Sequence, residues 1–303
     1  MIDALLLGNG AMVPLPDRPL SSLQIRVGDS LVLFDCGEGT QVQMRRFHWG
    51  FRKLDAICLS HLHADHVAGL PSLFHTVAKA GRTDILDIYG PPGTIAVVQG
   101  LSVIARHLPY PVTIHELEYG AGFRLANGLR VRVARGEHRI ECLAYRVDRD
   151  RQRGFNPDAA RALGIPVQMW STLQRGEAVE VDGAMIEPDA VLGPPRPGVS
   201  LGFATDTRPT PEIIELMQDV DLLVAEATYA SDDLVAKALE WGHMTMREAC
   251  RLGETVRARQ LWLTHFGGTI KDPASLAEAA CALYLPTTIG MPGLAATIAF
   301  PDE

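Results

Sequence analysis

Five short apolar runs in this chain end on a histidine or a carboxylate, and that repetition limits the folds it can adopt. Leu54-Asp55-Ala56-Ile57-Cys58-Leu59-Ser60 runs into His61, and residues 129–134 lead through Arg135-Gly136-Glu137 to His138. Leu201-Gly202-Phe203-Ala204-Thr205 ends at Asp206, Leu222-Leu223-Val224-Ala225 at Glu226, and Leu261-Trp262-Leu263-Thr264 at His265. Runs of this length and composition read as buried strands. Strands that each deliver such a residue at the carboxyl end gather them where α/β sheets keep their ligand sites. One strand-end histidine is more often a surface or capping group, whereas five in phase outline a site.

The first run has the densest ending, His61-Leu62-His63-Ala64-Asp65-His66. On an extended backbone His61 and His63 point the same way, and Asp65 and His66 lie beyond the bend. This division suits two adjacent metal ions better than one, and imidazole nitrogen and carboxylate oxygen are ligands that zinc and similar metals accept. Three histidines and a carboxylate can hold one ion. An aspartate, two histidines and a shared carboxylate can hold a second. Asp206 is the natural bridge, because a carboxylate has two oxygens. Two ions about 3.5–4 Å apart lower the pKa of a shared water towards neutrality, which suits hydrolysis of a phosphodiester.

Strands are expected at residues 4–7, 30–34, 56–59, 86–89, 129–134, 201–204, 222–225 and 261–264. Helix starts lie between them: Thr210-Pro211-Glu212, the capping box Thr245-Met246-Arg247-Glu248, and Asp272-Pro273. Alternating strands and helices predict an α/β layered fold in a single domain, 1–303. Residues 148–198 differ, being polar and rich in Arg, Gly and Pro, with a short helix started by Asn156-Pro157-Asp158 and stopped by Gly164-Ile165-Pro166. This stretch reads as an inserted arm and candidate substrate-binding exosite, with Arg146, Arg149, Arg151 and Arg153 at its front edge.

A hydrophobic share of 47% and a charged share of 21% are those of an ordinary globular protein. A net charge of -8 argues against a protein that coats nucleic acid non-specifically. The apolar run at residues 4–7 stops at Gly8, too short for a membrane span or signal peptide. Cys36, Cys58, Cys142, Cys250 and Cys281 are scattered and form no Cys-x-x-Cys pair, as expected of reduced thiols in a cytoplasmic protein. Of the ten histidines, His48, His75, His107 and His115 lack a strand-end setting, and His243 precedes the capped helix.

His61-x-His63-x-Asp65-His66, followed by His138, Asp206 and His265, resembles the ligand series of the metallo-β-lactamase superfamily. Leu33-Phe34-Asp35-Cys36-Gly37-Glu38-Gly39-Thr40-Gln41, Asp206-Thr207-Arg208, Glu226-Ala227-Thr228-Tyr229 and the His243-x-Thr245 element are similar to its ribonuclease Z group. The resemblance extends over nearly the whole chain and implies an αββα sandwich with an inserted arm. It implies zinc (or manganese or iron) at two positions per subunit: His61, His63 and His138 at one, Asp65, His66 and His265 at the other, and Asp206 between. It further implies Asp65 as general base and a Glu226–His243 pair, with His243 as proton donor. The implied activity is endonucleolytic removal of the 3′ trailer of tRNA precursors by metal-activated hydroxide, and the implied assembly is a homodimer. A same-fold hydrolase of a small phosphodiester or ester, and a non-hydrolytic metal-binding module, are the alternatives. The chain departs from the group's pattern after His265, where Phe266-Gly267-Gly268 replaces a Ser-x-Arg-Tyr element. It also departs in the arm, which has no Gly-Pro at 164–170, and at Asn9. None of these positions belongs to the metal set.

Overall fold

The apolar runs become strands of two seven-stranded sheets in the computed structural model, which describes residues 1–301. The first sheet is ordered Ala295–Ile298, Ile2–Gly8, Ser22–Val27, Ser30–Phe34, Leu54–Cys58, Leu86–Gly90, Val112–Glu116. Its pairing is parallel from Ser30–Phe34 onward, with Phe34 opposite Cys58 and Cys58 opposite Tyr89. The second sheet is ordered Thr287–Ile289, Leu261–Thr264, Leu222–Glu226, Arg196–Ala204, Leu143–Arg151, Arg130–Arg135, Gly122–Arg124. Its first four strands are parallel, with Ala204 opposite Ala225 and Glu226 opposite Thr264. Parallel strands in close register end together, so the residues that follow them emerge on one edge.

All eight runs expected to be strands coincide with strands, with Leu59 and Leu129 falling one residue outside them. The additional strands Ser22–Val27, Val112–Glu116, Leu143–Arg151 and Ala295–Ile298 carry polar or charged residues that break up an apolar run.

The chain forms two compact units. The larger is Met1–Asp148 with Ser200–Ala299. Its sheets meet through Phe34, whose ring centroid lies 5.8 Å from that of Tyr145 and 5.5 Å from that of Phe203. Helices Thr40–Arg46, Leu70–Lys79 and Thr94–Leu101 bury Met44, Leu73, Phe74, Val77 and Val98 against the first sheet. Pro211–Leu216, Met246–Thr255 and Ala277–Leu283 bury Ile213, Ala249, Leu252 and Ala280 against the second. The result is the expected αββα order of layers. The expected caps are present: Thr210 accepts from the Ile213 N–H at 3.2 Å, and Thr245 and Glu248 form a reciprocal capping box. Asp272 caps a single 3-10 turn, Pro273–Leu276, that leads into the last helix.

The smaller unit is Arg149–Val199 with Phe300 and Pro301, and it contains all but the first residue of the stretch read as an arm. Asn156 caps Pro157–Ala162 by accepting from the N–H groups of Asp158 and Ala159, and Gly164 (φ +65°) follows that helix. Ala160, Ile165, Leu173, Val179, Val191 and Leu192 form its small core. No helix among the described residues is long and apolar enough to cross a membrane.

Candidate metal centre

Each strand end turns sharply before presenting its side chain. Asp35, Asp206 and His265 follow Ser30–Phe34, Arg196–Ala204 and Leu261–Thr264, and all three have left-handed backbones, with φ of +56°, +50° and +56°. Non-glycine residues rarely hold this conformation, and such residues cluster at functional sites. His63 is extended (φ −68°, ψ 153°) and caps the one-turn helix Ala64–Val67, which brings Asp65 and His66 around the bend.

These turns converge. His61 Nε2 is 3.0 Å from His63 Nδ1, which is 3.2 Å from His138 Nε2, and Asp206 Oδ2 lies 3.6 and 3.9 Å from His61 Nε2 and His138 Nε2. His66 Nε2 is 3.3 Å from His265 Nε2, and Asp65 Oδ2 lies 3.5 and 3.6 Å from those two nitrogens. Asp206 Oδ1 completes this second group at 3.3 Å from His66 Nε2 and 3.1 Å from His265 Nε2. The two oxygens of Asp206 therefore face different groups. A tetrahedral ion with Zn–N bonds of about 2.05 Å sets its ligand atoms roughly 3.3 Å apart, and the contacts above bracket that value.

The outer nitrogens explain why the inner ones are available. Asp35 Oδ2 is 2.7 Å from His66 Nδ1 and can only accept, so Nδ1 carries the proton. His138 Nδ1 faces the Gly242 carbonyl at 3.2 Å with the same consequence. Ser60 donates its hydroxyl to Asp35 at 2.8 Å, which leaves its oxygen to accept from His61 Nδ1 at 3.0 Å. Thr228 donates to Glu226, which leaves its oxygen to accept from His265 Nδ1 at 3.0 Å. Four imidazoles are thus anchored outward with Nε2 lone pairs directed into the site, the arrangement that orients metal-binding histidines. Gly242 must be glycine, since φ is +69° and a Cβ there would stand 2.8 Å from His138 Cα.

The charges favour a cation. Burial alone would raise the Asp206 carboxyl, but His265, His66, His61 and His243 together hold it well below the usual carboxylate range. Burial opposes a charge on His66, yet Asp206 and Asp35 raise it well above the ordinary imidazole value. Burial, with His66 adding to it, pushes His61 well below that value. His63 and His138 are also lowered, chiefly by burial. The carboxylates draw positive charge into the pocket, and a divalent ion satisfies the same field. The donor set therefore fits a divalent metal.

Glu226 and His243 lie beside this cluster. Glu226 is fully buried. Its Oε1 accepts from the Thr207 N–H at 2.7 Å and stands 3.1 Å from His243 Nδ1, and its Oε2 accepts from the Met244 N–H at 3.2 Å and from Thr228. Burial disfavours the His243 imidazolium, but Glu226 and then Asp206 overcome it and move this imidazole up to about 9. The Nδ1 atom of His243 is 3.9 Å from Asp206 Oδ2. Arg208 donates to the His243 carbonyl and forms a two-pronged ion pair with Glu248 of the capping box, tying this loop to the helix behind it.

Every residue singled out as a site candidate, His61, His63, Asp65, His66, His138, Asp206, Glu226, His243 and His265, is found in this one constellation. Asp35, Ser60 and Thr228 had been assigned no role. Their signal is a polar residue within two positions of the end of a buried strand. His115 pairs instead with Asp87 at 2.8 Å. Arg146 donates to the carbonyls of Leu216 and Gln218 at 3.0 and 2.6 Å, and Arg153 to the Gly193 carbonyl at 2.6 Å. Residues 149–199 carry six arginines against seven carboxylates, so this unit is not a basic surface. After His265, the Phe266 N–H donates to the Asn9 carbonyl at 2.7 Å, and Arg18 donates to the Gly267 carbonyl at 3.3 Å.

Residues 31–189 and 165–266 match the family described as Beta-lactamase superfamily domain. The chain is 38% identical over 297 residues to ribonuclease Z of Clostridium acetobutylicum, covering 96% of each protein. It is 36% identical over 303 residues to ribonuclease Z of Clostridium kluyveri, covering 100% of each. Among solved structures, human tRNase Z, short form, superimposes with a TM-score of 0.69 at 23% identity, over 98% of this chain and 100% of that one.

Proposed function

Since the chain belongs to the ribonuclease Z family of the metallo-β-lactamase superfamily, we propose that it is a zinc-dependent endoribonuclease that removes the 3′ trailer of tRNA precursors. The observation that carries this reading is the division of Asp206 between two ligand groups. A carboxylate shared by two cation positions is the arrangement that suits phosphodiester hydrolysis. In this reading His61, His63 and His138 would hold one ion and Asp65, His66 and His265 the other, with Asp206 shared between the two sets. Two such ions, when bound, acidify a water and neutralise charge on the phosphoryl oxygens.

The chain's own side chains do the rest. Asp65 takes the proton of the attacking water. Its Oδ2 is oriented by the Met12 N–H at 2.6 Å, so the carboxylate is fixed before substrate arrives. His243, held charged by Glu226, delivers a proton to the leaving 3′ oxygen. Glu226 positions that imidazole and takes no part in bond making. RNA is recognised by shape more than by base sequence, with the arm as a candidate exosite and a homodimer as the assembly in which it serves the partner's site.

The test gives protein of known metal content a tRNA precursor with a 3′ trailer and, separately, bis(p-nitrophenyl) phosphate. Cleavage at the trailer junction supports the reading. Hydrolysis of the small diester with the RNA left intact moves the function to a small-molecule phosphodiesterase.

A further inference from the structure

A groove of about 380 Å³ opens off His138, lined in part by Tyr119, Arg135, Arg139 and Thr210, and none of its residues has a role in the chemistry above except His138. Two guanidinium groups here rest on aromatic rings. Arg135 lies 5.0 Å from the Tyr119 ring centroid, and Arg139 lies 4.2 Å from that of Trp241. Tyr119, which lines the groove, is 39% exposed and its ring is open to a ligand; Trp241 backs Arg139 from outside the lining. The groove also contains Glu137, Glu141 and Glu212, all exposed. Three carboxylates against two arginines repel a phosphate. They accept hydrogen bonds from exocyclic amines, as acidic side chains do from cytosine. Aromatic and guanidinium faces with acceptors at the edge form a socket for an unpaired base.

We infer that this groove binds the nucleobase of the last nucleotide retained on the RNA, the one that carries the leaving 3′ oxygen. This rests on the endonuclease reading above. The side of the cut follows from geometry. The groove begins at His138, whose ring centroid is 4.9 Å from that of His243, and His243 is the group assigned to the leaving oxygen. The nucleotide attached to that oxygen is therefore the one beside the groove. Cytosine, adenine and guanine each offer an exocyclic amine to the carboxylates, whereas uracil offers only its ring N3–H, so the site favours the amine-bearing bases.

The experiment uses metal-loaded wild-type, Tyr119→Ala and Tyr119→Phe proteins. The substrates are tRNA precursors differing only at this nucleotide (cytosine, uracil or an abasic residue) and bis(p-nitrophenyl) phosphate. The expected result is a rise in KM of about tenfold for Tyr119→Ala on the cytosine RNA, in line with the loss of one base–aromatic stack. Tyr119→Phe should stay near wild type, the abasic RNA should not distinguish the three proteins, and the small diester should be hydrolysed equally by all. Wild-type protein should also favour cytosine over uracil. The inference is overturned if Tyr119→Ala matches wild type on the cytosine RNA, if its defect persists on the abasic RNA, or if it loses both substrates alike. Wild-type protein that hydrolyses the diester but no RNA overturns the endonuclease reading, and this inference with it.

Discussion

Asp35 Oδ2 stands 2.7 Å from His66 Nδ1, and both side chains are fully buried. The same carboxylate accepts from the Ser60 N–H and hydroxyl, and Ser60 in turn holds His61. One buried acid thus orients an imidazole in each half of the site. Asp35→Asn preserves shape but replaces one of the two acceptor oxygens with an NH2 donor, which then faces either the Ser60 N–H or the His66 Nδ1–H and Ser60 hydroxyl. Loss of such outer partners lowers metal affinity by about 10–100-fold. Titration of metal-stripped protein with zinc, followed by calorimetry or competition with a chelator, measures this directly. Affinity equal to wild type would remove Asp35 from the support of the site.

Asp65→Ala should abolish turnover while leaving the fold intact. Asp65 is one of the more exposed of the buried site residues, and its side chain contacts the Met12 N–H and two site histidines, so its loss removes polar contacts and no apolar packing. General base catalysis alone contributes about 10²–10⁴-fold, and a lost ligand adds to that. Rates on the small diester, with circular dichroism and the melting temperature as controls, test it. Activity near wild type would exclude Asp65 from the mechanism.

The legible part of this site came from covalent adjacency and strand phase. His61, His63, Asp65 and His66 are neighbours in sequence, and His138, Asp206, Glu226 and His265 each close an apolar run. Parallel register brings Asp206, Glu226 and His265 to one edge, and His138 joins them from the connection between two antiparallel strands. Asp35 and Thr228 sit in comparable positions, but their importance lies in which proton goes where, and only the distances reveal that. The arginines at the front edge of the arm are a different case. A basic-looking run in sequence does not reveal that Arg146 and Arg153 are turned onto backbone carbonyls.

His243→Ala should slow cleavage by about 10²–10⁴-fold, the usual range for a lost general acid, with metal content little changed. His243 also lies within reach of Asp206 and His265 as a possible ligand group, so metal content decides between the two roles. Loss of an ion from the variant would reassign His243 as a ligand. Because Glu226 and Asp206 raise this imidazole, it carries its proton at neutral pH and surrenders it as pH rises. The pH profile of kcat should therefore fall on the alkaline side in the wild type, and His243→Ala should lack that limb.

Deleting residues 150–195 tests the arm. The smaller unit has its own core of Ala160, Ile165, Leu173, Val179, Val191 and Leu192, and none of the site residues lies within it. The deletion should therefore spare hydrolysis of the small diester. If the arm recognises RNA, KM for a tRNA precursor should rise by about tenfold or more, equivalent to roughly 1.4 kcal/mol of lost binding. The near balance of six arginines and seven carboxylates adds a second expectation. An arm that grips phosphates releases counterions, so its loss would flatten the dependence of KM on salt. An arm that reads shape through apolar and polar contacts would raise KM without changing that slope. The composition favours the second outcome, and measuring KM between low and physiological salt separates the two. Equal loss on both substrates would instead make the arm a structural element.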